Sequence, residues 1–333
     1  LRDERRRFTL DPVEIALFNP NTRTMPVFRT RADAELTRAI YQRVPVLVNE
    51  HTGENPWGIR IRRIFDMNKT ETIAMVSEIK KENFIKMYEA KMIWHFDHRF
   101  GTYQGITSRS STRIGQLNLQ NYANPTITIK PWYWIAEDEV ERSIQEWNHN
   151  WFFGYRDITN TTNERTSIAA IIPFSGTDFT IRILFSEQSP KLIACLLSSF
   201  NSIVLDYIAR QSVAGTHLSD YITKQLVFPS ADYYSFRDID YIISRVLELV
   251  YTAYDLKPFA EEMGYEGEPF CWDEERRAVL RAELDAYYAR LYGLNRKQLR
   301  YILDPADLTP RELEDILDPW EEVADPLDPA GYD

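Results

Sequence analysis

Hydrophobic and polar positions alternate from Tyr88 to Tyr103, which reads Y-E-A-K-M-I-W-H-F-D-H-R-F-G-T-Y. Met92, Trp94, Phe96 and Phe100 fall on one side of an extended chain; Lys91, His95, Asp97 and Arg99 fall on the other. Period two over this length predicts a strand with one buried and one wet face. Similar patterns predict strands at Val13–Phe18, at Ile59–Ile64 with its interleaved arginines, over 125–135, at Trp151–Asp157, at Thr166–Ile172 and over 179–186. Helical periodicity predicts Asp33–Tyr41, capped by Thr30 or Asp33 and stopped by Pro45, then Ile73–Lys86, Glu137–Trp147 and one long helix over Pro190–Arg210.

From 236 onward the pattern is helical throughout: Phe236–Tyr254, Asp273–Tyr292, Arg296–Leu303 and Pro310–Leu317. The end, with Asp-Pro at 304, 318, 325 and 328, reads as an acidic, poorly ordered tail. The expected class is therefore α/β mixed, of α+β type, with a mixed or antiparallel sheet, flanking helices and an α-helical C-terminal segment. The expected units are a connector over 1–50, an α/β domain over 51–230, a helical domain over 231–303 and the tail over 304–333.

Composition narrows the picture. With 44% hydrophobic and 27% charged residues the chain fits a soluble globular protein. The longest apolar stretch, Leu192–Ile208, is broken by Ser, Asn and Asp, and the charged start (R-D-E-R-R-R) has no apolar segment behind it. Cys195 and Cys271 form no metal or disulfide pattern, so the cytoplasm is the expected compartment. The chain opens at Leu1, which suggests an excised or processed piece. Net charge is −11, unevenly spread: residues 1–120 hold 20 basic and 14 acidic side chains, residues 231–333 hold 11 and 25. An acidic end can mask a mildly basic working half.

Candidate chemistry follows the polar stretches. Lys91, His95 and Arg99 on a wet strand face would suit a phosphate or a base edge, as would Arg109 and Arg113 in the loop Gly105–Gly115. The connection Ile158–Arg165 carries Asn160, Asn163 and Arg165, residue types that read bases and also build self-bonded turns; the turn reading comes first. The loop arginines Arg23, Arg29 and Arg31 read as solvated surface before phosphate contacts. A metal at His95, Asp97 and His98 is disfavoured, because on a strand His98 points away from the other two. No acid-acid-x-Lys arrangement, Gly-x-Ser-x-Gly elbow, Walker loop or Gly-x-Gly spacing stands out. A recognition module without a catalytic centre is the natural inference.

A set of strings then carries a resemblance: Asn19-Pro-Asn-Thr-Arg-Thr24, Arg31-Ala-Asp-Ala-Glu-Leu36, Tyr88-Glu-Ala-Lys-Met-Ile93, His95-Phe-Asp-His-Arg99, Gly154-Tyr-Arg-Asp-Ile-Thr-Asn160 and Asn163-Glu-Arg-Thr166. Leu205-Asp-Tyr-Ile-Ala-Arg-Gln211, Gly215-Thr-His-Leu218, Asp273-Glu-Glu-Arg-Arg277 and Leu299-Arg-Tyr-Ile-Leu303 continue it. Together they resemble the C-terminal portion of large bacterial adenine-specific DNA methyltransferases of restriction–modification, BREX and DISARM type. In that family the S-adenosylmethionine loop and the Asn-Pro-Pro-Tyr motif lie upstream. Here Asn55-Pro56-Trp57 lacks the second proline and reads as an ordinary turn.

The resemblance implies a target-recognition domain and a helical segment without the methyl-transfer domain, and a C-terminus that is also cut. Its partners would be double-stranded DNA, its own catalytic domain and other defence-system subunits, with no membrane. S-adenosylmethionine would belong to the missing domain, and no cofactor to this segment. The residues themselves, with no family contact map carried over, put the expected DNA contacts on Lys91, His95, Arg99, Arg109, Arg113, Asn160, Asn163 and Arg165. The competing readings are a scaffold that docks partner subunits through acidic helices, and a metal-dependent nuclease or other enzyme.

Overall fold

The computed structural model describes residues 6–65, 83–109, 114–144 and 147–322, together with the backbone of 73–75. It has an α+β architecture built on two four-stranded sheets. Two short helices come first, α1 (Pro12–Phe18) and α2 (Arg31–Arg43). Pattern alone assigns α1 to a strand. The structure makes it a helix because Asp11 and Glu14 close a capping box around Pro12, which suits the first helical position. Thr30 and Asp33 form the same box on α2, which stops at Val44 before Pro45.

Strands β1 (Arg60–Arg62), β2 (Ile73–Met75), β3 (Phe84–Tyr88), β4 (Gly101–Thr102) and β5 (Gly115–Gln116) follow. After them come α3 (Leu119–Tyr122), β6 (Tyr133–Ala136), α4 (Glu137–Ser143), β7 (Trp151–Arg156), β8 (Ala169–Pro173), β9 (Gly176–Thr177) and β10 (Ile181–Phe185). The first sheet is antiparallel in the order β1-β10-β7-β8, with Gly154 of β7 opposite Ile183 on one side and Ala170 on the other. Strands β7, β8 and β10 are buried almost throughout, which explains their near-continuous apolar sequence. The second sheet runs β2-β6-β3-β9, with only the β3–β9 pair parallel.

Two sequence expectations fail here. The helix expected over Ile73–Lys86 is replaced at both ends by strands β2 and β3, which pair on either side of β6; residues 76–82 lie outside the described residues. Local helical preference loses to cross-strand pairing. The single strand expected over Tyr88–Tyr103 also breaks up. β3 ends at Tyr88, a 3-10 turn follows at Ala90–Met92, and Trp94 and Asp97 close a tight turn with reciprocal backbone hydrogen bonds of 2.8 and 3.0 Å. The chain thus doubles back. A Cβ on Gly101 would stand 2.5 Å from the Lys91 carbonyl oxygen, so only glycine fits this approach.

Helices α5 (Pro190–Asn201) and α6 (Ile203–Ser212) replace the single helix expected over 190–210. Ser202 ends α5 and caps α6 through Leu205 N, and the two axes differ by 61°. Then come α7 (Asp220–Thr223), α8 (Phe236–Val250), α9 (Lys257–Glu262), α10 (Glu274–Leu291), α11 (Arg296–Leu303) and α12 (Pro310–Glu314). α8 packs on α5, and α10 and α11 pack on α6. One continuous hydrophobic core runs from Phe18 to Ile316 through both sheets and these helices.

The acidic end is ordered as far as it is described. Arg300 binds Asp307 at 2.8 Å, Glu312 at 2.9 Å and Glu321 at 2.8 Å, and Lys297 Nζ donates to the Asp315 carbonyl. These contacts fold residues 304–322 onto α11, where the Asp-Pro pattern had indicated a loose tail. Among the described residues no single helix is long and apolar enough to cross a membrane; the bent α5–α6 pair matches a broken span in composition, and its apolar side chains lie in the core.

Candidate nucleic-acid interface

The doubled-back segment after β3 determines where the expected contact residues go. Its supposed wet face is buried. Arg99 is completely enclosed, and its guanidinium donates to the carbonyls of Asn124, Ile127, Tyr122 and Thr252 at 2.9–3.3 Å. It is a structural tie between α3, the following loop and the end of α8. His95 is 4% exposed, with Nε2 2.8 Å from the Ser167 carbonyl. A carbonyl only accepts, so Nε2 carries the proton and Nδ1 keeps its lone pair. Burial lowers the His95 pKa to about 3, aided by the charges of Arg165, Arg281 and Arg156 and opposed by the Ser167 bond. This imidazole is neutral. His98 goes elsewhere, to Asp255 at 2.8 Å.

Lys91 and Arg109 do come together, on Glu89. Their ion pairs to its Oε2 are 3.2 and 2.7 Å long, and the two cations lie over the Tyr103 and Tyr133 rings. Glu89 is buried, and so is Asp178, whose carboxyl burial raises to about 6 against two opposing Thr180 hydrogen bonds. This cluster is largely self-neutralised. Arg113 lies outside the described residues.

The Ile158–Arg165 connection is a built turn. Asn160 Oδ1 accepts from the Thr162 backbone and hydroxyl at 3.0 Å, so its side chain is spent locally. Arg165 points inward to Asp285 at 3.5 Å. Of the three candidates here only Asn163 is exposed.

Folding assembles a different surface, an open cleft of about 490 Å³ lined by the Trp94–Asp97 turn, Phe100, residues 116–119, Tyr122 and the start of α10. Its walls are aromatic. Trp94 stacks on Phe100 at 5.1 Å, with Arg156 over both rings, and Tyr122 stacks on Trp272 at 3.9 Å. Each ring is fixed. The Tyr122 hydroxyl donates to Asp97 at 2.7 Å, the Trp272 indole N–H donates to Glu274 at 2.7 Å, and the Arg277 guanidinium lies 3.7 Å from the Trp272 ring centre.

The turn that presents Trp94 and His95 holds Phe96 at φ +56°, a left-handed conformation rare for an aromatic residue. Polar groups converge too: Gln116, Asn118, His95, Arg277 and Arg281. Burial lowers the Arg277 pKa to about 10, with Asp97 opposing, and Arg277 donates to the Leu249 carbonyl at 2.6 Å. Arg281, one helical turn on and on the same face, is half-buried and has no hydrogen bond or ion pair among the described residues.

Of the expected contact residues that are described, only His95 lines this cleft. Sequence reading missed Arg277, Arg281 and Trp272, although the four-residue spacing of the arginines on a predicted helix was a usable signal. Among the described residues no group of three His, Cys, Asp or Glu side chains is placed to hold a metal ion. Comparison with protein-family models finds no match, and neither does comparison with curated proteins.

Proposed function

We propose that this chain is the DNA target-recognition and clamping part of an adenine-specific DNA methyltransferase from a restriction–modification or phage-defence system. Methyl transfer and S-adenosylmethionine belong to a catalytic domain outside the chain. The partners are double-stranded DNA, that domain and other subunits of the system, in the cytoplasm. The observation that carries the reading is the cleft at the start of α10. Fixed aromatic rings, two guanidiniums and two side-chain amides converge there, the groups with which proteins hold phosphates, bases and base edges. Glu248, Glu283, Asp307, Glu312 and Glu321 are paired with Arg276, Arg245 and Arg300, but residues 231–333 keep their excess of acidic side chains, 25 against 11, so the reading rests on the cleft and not on overall charge.

The test is selection of this protein's ligands from a pool of random duplexes, first at low and then at physiological salt, with the recovered DNA sequenced. The expected result is affinity that falls linearly on a log–log scale with salt, by about 0.9 per phosphate contacted, and an enriched motif among the survivors. No binding at low salt sinks the reading. It favours the scaffold instead, for which Tyr233 just before α8 and Phe236 at its first position, 58% and 88% exposed, offer a docking surface.

A further inference from the structure

The cleft has properties that go beyond holding a duplex surface. A regular double helix offers phosphates on its outside and base edges in its grooves; its base faces are stacked and hidden. Yet the walls of this cleft are flat. The Trp94–Phe100 pair and the Arg277 guanidinium laid on Trp272 both line it. Its volume, about 490 Å³, falls within the range of about 300–1,000 Å³ typical of sites for single small molecules.

The polar groups are placed for one such guest. Arg277 and Arg281 stand four residues apart on α10, a like-charge pair that is unfavourable by itself. Arg277 is held by Leu249 and by the Trp272 ring, whereas Arg281 carries its charge without a hydrogen-bonded partner. The two carboxylates of the cleft are engaged: Asp97 takes the Tyr122 hydroxyl and the Arg99 N–H, and Glu274 takes the Trp272 indole. Asp285, one turn further along α10, feels the charge of Arg281 but takes its hydrogen bonds from Arg165 and the Ile203 N–H, which leaves the Arg281 guanidinium able to hold a guest anion. Also lining the cleft, neutral His95 keeps an acceptor at Nδ1, Gln116 can donate and accept, and Asn118, whose Oδ1 caps α3 through Asn121 N, keeps its amide N–H groups to donate. Flat walls, a base-edge acceptor and one open guanidinium describe a nucleotide.

We propose that the cleft receives a single unstacked nucleotide of the bound DNA, its base against the Trp94–Phe100 wall and its phosphate on Arg281. The proposal rests on the DNA-recognition reading and names what that site takes. Unstacking costs least at a mismatched pair. A protein that captures a base therefore binds better when the pair at that position is already weakened.

The experiment is a mismatch scan across the enriched duplex, one base pair at a time, with affinity measured for the wild type and for Arg281→Gln and Phe100→Leu. Neither change removes a hydrogen-bonded partner, so both proteins should fold, and matching circular dichroism spectra check this. At one position a mismatch is expected to tighten wild-type binding by about tenfold, with a gain of less than about twofold in either variant. If the duplex is bound selectively but every mismatch is neutral or weakening, the nucleotide pocket is refuted while DNA recognition stands. A mismatch gain that persists undiminished in both variants places the capture elsewhere and also overturns it. If no duplex is bound at any salt, both ideas fall.

Discussion

Arg210 holds Asp206 through Nε at 2.8 Å and, with the same guanidinium, holds the loop that follows β7. Nη1 donates to the Thr161 carbonyl at 2.7 Å, and Nη2 to those of Asn163 and Glu164 at 2.9 and 2.6 Å. Asp206 in turn accepts from the Thr166 and Ser167 backbone N–H groups at 2.6 and 2.8 Å. One ion pair on α6 thereby fixes a connection whose own sequence, Asn-Thr-Thr-Asn, has little apolar surface to bury.

Arg210→Ala should release that loop. We expect a loss of about 2–3 kcal/mol in urea unfolding, as several charge-assisted hydrogen bonds go and a buried carboxylate loses its cation. Limited proteolysis should then cut between residues 160 and 165. Unchanged stability together with an uncut loop would contradict the role assigned to this arginine.

The neutral state of His95 has a consequence for stability against pH. Its folded pKa, about 3, lies below the ordinary value of 6.5, so between these values the unfolded chain binds the extra proton. Its contribution is full above pH 6.5 and is lost as pH falls toward 3, at about 1.4 kcal/mol per unit. Denaturant midpoints measured from pH 7 to 4 should show this slope, reduced in His95→Gln, which can still donate to Ser167. A variant with the wild-type slope would remove His95 as its source.

Asp178 works with the opposite sign. Its folded pKa of about 6 exceeds the ordinary 3.8, so the native state takes up the proton first and stability declines as pH rises between those values. Asp178→Asn keeps an oxygen for the Thr180 N–H and hydroxyl while removing the buried charge. We expect stabilisation of about 1–2 kcal/mol at pH 7.5 that disappears near pH 4. Destabilisation at pH 7.5 would mean that the carboxylate is needed as a charge opposite Arg109.

Gly101→Ala tests the fold-back itself. The new methyl group would meet the Lys91 carbonyl at 2.5 Å, and a backbone atom cannot swing aside as a side chain can. A loss of about 3 kcal/mol or more is expected in thermal or urea unfolding. A near-neutral outcome would mean that the segment between Lys91 and Gly101 repacks freely.

Capping boxes, proline positions and apolar periodicity settled a good deal of this protein from sequence alone: α2 with its Thr30 cap, the buried strands β7 and β10, the amphipathic helices α8 and α11, and the helix α10 between them. These signals are local, since the residues that decide them lie within a few positions of one another. The mixed α+β class follows from the same signals. Where two local signals competed, as at Asp11-Pro12 before Val13–Phe18, the cap outweighed the alternation.

Only the tertiary structure decided the rest. Period-two alternation around Arg99 predicted a wet face, but four carbonyls from Tyr122, Asn124, Ile127 and Thr252 enclose that guanidinium, and Thr252 is 153 residues away. Alternation measures which side chains share a face and not what covers the face. The cleft is a stronger case. Trp94 and Phe100 come from one stretch, Trp272, Arg277 and Arg281 from another more than 170 residues later, and the packing of α10 against the Arg99 turn brings them together. A site built from two distant segments leaves no spacing in the sequence, because its geometry is set by the packing of the core between them.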